Sequence, residues 1–252
     1  MFIHNINPIL LDLGFFQIRY YSLVYIIGFL LGYYIIYLAA KKKTIKNLTV
    51  EAVDDFMIYL IIFSIIGGRL GHFIFWDITY FWTDPFEILK IWHGGLSIHG
   101  GILGAIGGYF LFRRKHKVDF YSLADLAVYP LAFTLFLGKI ANFINGELWG
   151  TITTVSWCVK FQGAEGCRHP AQLYESLKNL FIFSVLYFTR NKTWKTGTRF
   201  WLFILLYGIL RTVINFWRED MRWFGLSMGQ YLSIIMIFVA IYFLYKLNAK
   251  DK

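Results

Sequence analysis

Charge is scarce in this chain of 252 residues. Only 16% are Asp, Glu, Lys or Arg, and the acids number 15 against 25 bases. No Ser-His-Asp elbow and no cluster with metal-ligand spacing can be found, which argues against ester hydrolysis and metal-assisted phosphodiester cleavage. Cysteine occurs twice, at Cys158 and Cys167, without neighbouring ligands that would suggest zinc. Internal repeats and low-complexity tracts are missing. The opening stretch, MFIHNINPILLDLGFF, has neither a basic n-region nor a small-residue cleavage site, so the first hydrophobic segment is expected to be retained rather than cleaved as a signal peptide.

What the chain has in abundance is apolar surface. Hydrophobic residues make up 58% and aromatic ones 21%, beyond the usual composition of a soluble domain. The excess falls in runs of the length needed to cross a bilayer. These runs predict an all-α polytopic membrane protein, a single transmembrane domain over 1–252 with seven spans, roughly 20–40, 56–76, 94–112, 121–143, 171–189, 199–217 and 227–245. The fifth begins polar, with Gln172, Glu175 and Lys178.

Of the 25 Lys and Arg, 15 follow the first, third, fifth and seventh runs. By the positive-inside rule this puts the N-terminus outside and the C-terminus in the cytoplasm. The net charge of +10 is thereby a matter of membrane orientation, and no nucleic-acid signature accompanies it. The loop 144–170 faces outward, where its two cysteines can pair or stay free thiols.

Ionisable groups inside a bilayer cost several kcal/mol and usually mark function. Here they are Arg69, His72, His99, Lys139, Glu175 and Arg211, with Asn142, Asn215 and Tyr25 nearby. At about 1.5 Å per helical residue, Arg69 lies ~23 Å above Asp54, His99 ~21 Å above Arg113, Lys139 ~27 Å above Tyr121 and Arg211 ~18 Å above Arg199. All fall in the outer half of a core about 30 Å thick. Tyr207, Arg211 and Asn215 share a helix face, and Gly100, Gly104 and Gly108 form a stripe permitting close helix approach. Plain packing accounts for that stripe, and snorkelling is the simplest account of Lys139. Cations at one depth with few acids suit the phosphate of an anionic phospholipid, which arginine grips with two hydrogen bonds. A histidine among them can serve as a base.

Several stretches carry a family resemblance. GKIANFINGELWG (138–150) resembles the signature of the bacterial prolipoprotein diacylglyceryl transferases, and so do HGGLSIHGG, RHPAQLYE, GGRLG, YGILR and SMGQ. Order and spacing fit from about residue 15 to 240. The resemblance implies a seven-helix bundle in the bacterial inner membrane. It implies transfer of the diacylglyceryl group of phosphatidylglycerol to the lipobox cysteine of a prolipoprotein, with release of glycerol phosphate and no metal or cofactor. It implies His99, Arg211 and Lys139 as catalytic residues. For substrate binding it implies Lys139 again, with Tyr25, Arg69, Asn142, Asn145, Glu147, Gly150, His169, Glu175 and Tyr207. Two positions depart from the pattern: Lys139 replaces a usual arginine and loses its fork, and Asn215 replaces a usual glutamate, leaving Arg211 free for phosphate or paired with Glu147 or Glu175. His72 and His93 read as drift without a direct role. Two other classes compete: a non-catalytic paralogue that binds anionic lipid, and a transporter. The lack of inverted repeats speaks against the transporter.

Overall fold

The structure is a computed structural model, and it describes residues 2–14, 17–75, 77–90 and 94–249. His93 lies outside them. The helices are α1 (Tyr20–Lys41), α2 (Val50–Phe75), α3 (Ile78–Thr83), α4 (Ile98–His116), α5 (Phe120–Ile144), α6 (Ala171–Phe188), α7 (Thr198–Ile214) and α8 (Met228–Ala249). Every expected span holds one long helix, α3 being the short extra. Two-residue or slightly longer strands decorate the termini and loops: β1 (Phe2–Ile3), β2 (Ile9–Asp12), β3 (Gln17–Arg19), β4 (Val159–Lys160), β5 (Arg222–Trp223) and β6 (Leu226–Ser227). β1 pairs parallel with β4, β2 antiparallel with β3, and β5 antiparallel with β6.

Among the described residues, five helices are long and apolar enough to cross a membrane by length and composition: α1, α2, α5, α8, and α7 continued to Trp217. The other two long helices carry more polar surface. The last turn of α4 is Arg113, Arg114, Lys115 and His116, while α6 buries Gln172, Glu175, Lys178 and Asn179 in its first half. The α4 cations Arg113, Arg114 and Lys115 stay exposed at its end, whereas in a helix packed among others, groups like those of α6 turn inward and leave the apolar residues to the lipid. In α8, Ile235, Phe238, Tyr242 and Tyr245 are all exposed, apolar surface of the kind a membrane helix offers to lipid.

The chain divides into two compact units, Met1–Ile35 with Ala124–Lys252, and Ile36–Leu123. In the second, the glycine stripe is a seam between α2 and α4. A Cβ on Gly71 would stand 2.8 Å from the Gly100 Cα, and one on Gly104 would stand 2.8 Å from the Phe63 carbonyl carbon. Only glycine lets the backbones approach this closely. Ser97 caps α4, its side chain accepting from the Gly100 N–H, while its own N–H donates to the Gly68 carbonyl at 2.9 Å. The helix therefore begins at Ile98 rather than 94. It then runs through its basic residues to His116, where cations favour a helix C-terminus. Asp55 of α2 accepts from Lys115 and His116, both at 2.6 Å.

In the first unit, Val128, Ala132, Ile182, Leu186 and Phe203 form the core of α5, α6 and α7. Asp125 of α5 caps α7 from outside it, accepting from the N–H groups of Gly197 at 2.7 Å and Phe200 at 2.8 Å. The SMGQ run is a capping box for α8. Gln230 N–H donates to Ser227 Oγ, and Ser227 N–H donates to Gln230 Oε1 at 3.0 Å. Gln230 Nε2 also reaches the Thr212 carbonyl of α7 at 3.1 Å. Cys158 and Cys167 form a disulfide. It closes the loop between α5 and α6, which is further held by bridges from Arg168 to Ile152 and Val159. His4 is buried against this loop, its Nε2 donating to the Phe143 carbonyl at 2.6 Å.

Candidate functional site

The deepest charge in the first unit is Glu175, on α6 and fully buried. Its position one turn into a helix that begins after Pro170 points it at three cations from other elements. Lys139 Nζ of α5 lies 2.6 Å from Oε2. Arg211 of α7 pairs with Oε1, and Arg218 Nη1 lies 2.6 Å from the same oxygen. Arg218 also donates through Nε to Asp220 at 3.1 Å. A lone buried carboxylate would be costly, and three cations around it supply the compensation. Of the two expected partners for Arg211, the structure selects Glu175.

Arg218 was not foreseen. It follows the short 3-10 turn Asn215–Trp217 that ends α7 and folds the chain back. The only sequence hint was a cation just past a span, which ordinarily reads as an interface anchor. Asn215 itself leaves the regular α7 face at this turn. It is fully buried, and its Nδ2 donates to Ser227 Oγ at 2.5 Å and Asp220 Oδ2 at 3.1 Å. It thus holds the segment that carries Arg218, and Arg211 keeps Glu175 as its acid.

Lys178 lies one turn further along α6 from Glu175, and in the sequence it stands out only as part of the polar start of the span. It is buried, and its Nζ lies 3.7 Å from the centre of the Tyr207 ring. Tyr207 therefore meets the cluster through Lys178, one turn before Arg211 on α7.

A second group surrounds Glu147. Its Oε1 accepts from Asn142 Nδ2 at 2.6 Å and from Asn145 Nδ2 at 3.1 Å. Its backbone carbonyl accepts from Gln172 Nε2 of α6 at 2.6 Å. Gln172 is the link between the signature loop and the helix that carries Glu175. Gly150 closes the loop: its N–H donates to the His169 carbonyl at 2.9 Å. A Cβ there would stand 2.8 Å from both the His169 Cβ and its carbonyl oxygen. His169 Nδ1 pairs with the Tyr174 hydroxyl at 3.1 Å, and burial lowers its pKa from the ordinary histidine value. Neighbouring Arg168 donates to the Gly150 carbonyl at 3.1 Å and to Glu219 at 2.5 Å. Tyr25 is half exposed on α1, its hydroxyl donating to that of Tyr21 at 2.9 Å.

In the second unit, the Arg69 guanidinium is held by backbone carbonyls. Its Nε donates to the Ile88 carbonyl at 3.1 Å, and Nη2 donates to those of Glu87 at 2.7 Å and Lys90 at 3.0 Å. Nη1 donates to the carbonyls of Gly94 and, at 3.2 Å, Gly95. A guanidinium has five N–H donors, so all are engaged in tying the segment after α3. The ring of Phe73 lies 4.8 Å beneath it. His72 pairs with Asp77 at 2.9 Å, and a cavity of about 390 Å³ opens beside Arg69, His72 and Asp77. His99 is exposed in the first turn of α4, directly after the Ser97 cap.

The helices define a polytopic membrane protein, and its buried carboxylate gathers cations from three separate elements. The chain belongs to the prolipoprotein diacylglyceryl transferase family, whose model matches residues 8–246. It is similar to the phosphatidylglycerol–prolipoprotein diacylglyceryl transferase of Rickettsia conorii, with 40% identity covering 98% of both chains. The enzymes of that name from Geobacter sulfurreducens (39% identity, 94% of both chains) and Rickettsia typhi (38%, 99% of this chain and 100% of the relative) are similar over the same extent.

Proposed function

We propose that this chain transfers the diacylglyceryl group of phosphatidylglycerol to the lipobox cysteine of prolipoproteins, on the outer side of the bacterial inner membrane. The observation that carries the reading is the full-length similarity to transferases of that name. In the reaction the cysteine sulfur attacks the glycerol carbon that bears the phosphate. A C–S bond forms and the C–O bond breaks, its electron pair leaving on the phosphate oxygen of glycerol phosphate. The thiol proton passes to a base, since a thiol of pKa about 8.5 is mostly protonated at neutral pH.

The proposed roles follow from chemistry. His99 takes the thiol proton. Lys139 and Arg211 balance the charge that grows on the departing phosphate, an interaction preorganised because Glu175 already holds both. Asn142, Asn145 and Glu147 shape the signature loop, Gly150 and His169 close it, and Tyr25 and Tyr207 line the lipid path. Arg69 supports binding indirectly, by fixing the backbone at 87–90 and 94–95. The N-terminus lies outside and the C-terminus in the cytoplasm, in keeping with the loop charges.

Purified protein, phosphatidylglycerol and a lipobox peptide test the roles. His99→Ala is expected to lower the rate ~10²-fold or more, the usual contribution of a general base. Arg211→Ala is expected to lower it ~10²–10³-fold. Parent-like rates in both variants would refute these assignments. Lipid binding without product in the parent would favour a non-catalytic lipid-binding role.

A further inference from the structure

Lys178 is a buried cation that the charge balance around Glu175 does not require. It is 4% exposed, and its Nζ has no hydrogen-bond partner among the described residues. It lies seven residues into α6, roughly 10 Å along the axis, too deep for its stem to snorkel out. The adjacent Asn179 is 1% exposed with neither side-chain polar atom bonded, and Gln172 Oε1 on the same helix is likewise unpaired. Glu175 already serves Lys139, Arg211 and Arg218, and Asp220 serves Arg218 again. Four cations against two carboxylates leave two positive charges over. Burying an ammonium is costly, and contact with one aromatic face offsets only part of that cost. Glu175 attracts it, while the charges of Arg211, Lys139 and Arg218 repel it.

We propose that Lys178 binds a phosphate group alongside Arg211, so that an anionic ligand completes this cluster. The proposal rests on reading the cluster as the phosphate-handling part of the transferase. Two sources share the chemistry: the phosphodiester of the lipid head group and the phosphomonoester of the released glycerol phosphate. Asn179 and Gln172 Oε1, unpaired on the Glu175 face of the same helix, leave further polar groups in this layer. The dianionic leaving group gains most from the fourth cation, because its charge is larger.

The test is ligand-dependent thermal stabilisation of the full chain in detergent, which needs no turnover. The probes are inorganic phosphate, glycerol phosphate, and micelles of phosphatidylglycerol against phosphatidylcholine. Lys178→Met should raise the melting temperature without ligand, because an uncompensated charge is gone. It should also weaken the response to phosphate or glycerol phosphate at least ~10-fold in apparent affinity, as for loss of a charged hydrogen bond. Lys178→Arg should keep affinity within ~3-fold. Weakening with the free phosphates alone assigns Lys178 to the leaving group, and weakening with phosphatidylglycerol as well assigns it to both. Affinities unchanged within twofold in every arm would overturn the proposal. Should Lys178→Met fail to fold, Lys178→Gln gives the same comparison. A parent that binds phosphate but lipidates no peptide would defeat the transferase reading alone, whereas lipidation with an unaltered phosphate response in the variant would defeat the Lys178 proposal alone.

Discussion

Glu175→Gln is the most informative single change, because one carboxylate holds three cations. Glutamine keeps the shape and can still accept one hydrogen bond, so the loss is nearly pure charge. Glu175 is fully buried, while the side chains of Lys139, Arg211 and Arg218 are 19%, 17% and 12% exposed. Removing one partner of a buried pair ordinarily costs about 3–5 kcal/mol. The lower end applies here, since the cations retain some access to water and Arg218 keeps Asp220. At about 2–4 °C per kcal/mol for a chain of this size, 3 kcal/mol lowers the melting temperature by roughly 6–12 °C. The sign of the ligand response is more specific still. A phosphate can replace the missing negative charge, and an anion held at 100 times its dissociation constant returns about 2.7 kcal/mol. The assay is a thermal melt of parent and variant in detergent, with and without phosphate. A variant within about 2 °C of the parent, or one that phosphate does not restore, would refute the hub role of Glu175.

Further outcomes follow from other parts of the molecule. Lys139→Arg should keep or raise the lipidation rate, because a fork replaces a point charge 2.6 Å from Glu175; a loss of tenfold would count against Lys139 as a phosphate ligand. Gly150→Ala should destabilise by about 1–3 kcal/mol through overpacking against backbone that cannot yield, read in the same thermal melt. Breaking the Cys158–Cys167 bridge, separated by 9 residues, should cost about 2.5–3 kcal/mol on the loop-closure account and speed tryptic cutting after Lys160. Burial lowers the pKa of His169, so the fold favours the neutral ring. Stability from that preference is present above about pH 6.5 and is lost as pH falls below it. The fall in melting temperature between pH 7 and 5 should therefore be shallower in His169→Gln.

The helices were legible because hydrophobic run length is set by bilayer thickness, a constraint that acts on each segment alone. The helix α6, with its polar first half, was the least plainly marked of them. Boundaries were less legible where side chains set them. The start of α4 depends on the Ser97 cap, and its end on cations tolerated at a C-terminus. The short strands escaped notice because β1 and β4 lie far apart in sequence and carry no periodic pattern in two residues. The Ser and Gln of SMGQ, three apart, were a readable capping box. In the cluster, Lys139, Glu175 and Arg211 came from depth and resemblance together. Arg218 did not, because its place depends on how α7 ends. Arg69 was legible as an intramembrane cation, but its five bonds to the carbonyls of Glu87, Ile88, Lys90, Gly94 and Gly95 were not, since those partners lie far along the chain. Lys178 was visible as a charge in a span, while its lack of a partner required three dimensions.

The most direct measurement is product stoichiometry. Purified protein is incubated with phosphatidylglycerol and a lipobox peptide, and mass spectrometry follows the cysteine while released glycerol phosphate is quantified. The account predicts one diacylglyceryl thioether for each glycerol phosphate released, and no product from a peptide with serine in place of the cysteine. Glycerol phosphate without thioether, or no product where a family member works under the same conditions, would contradict it.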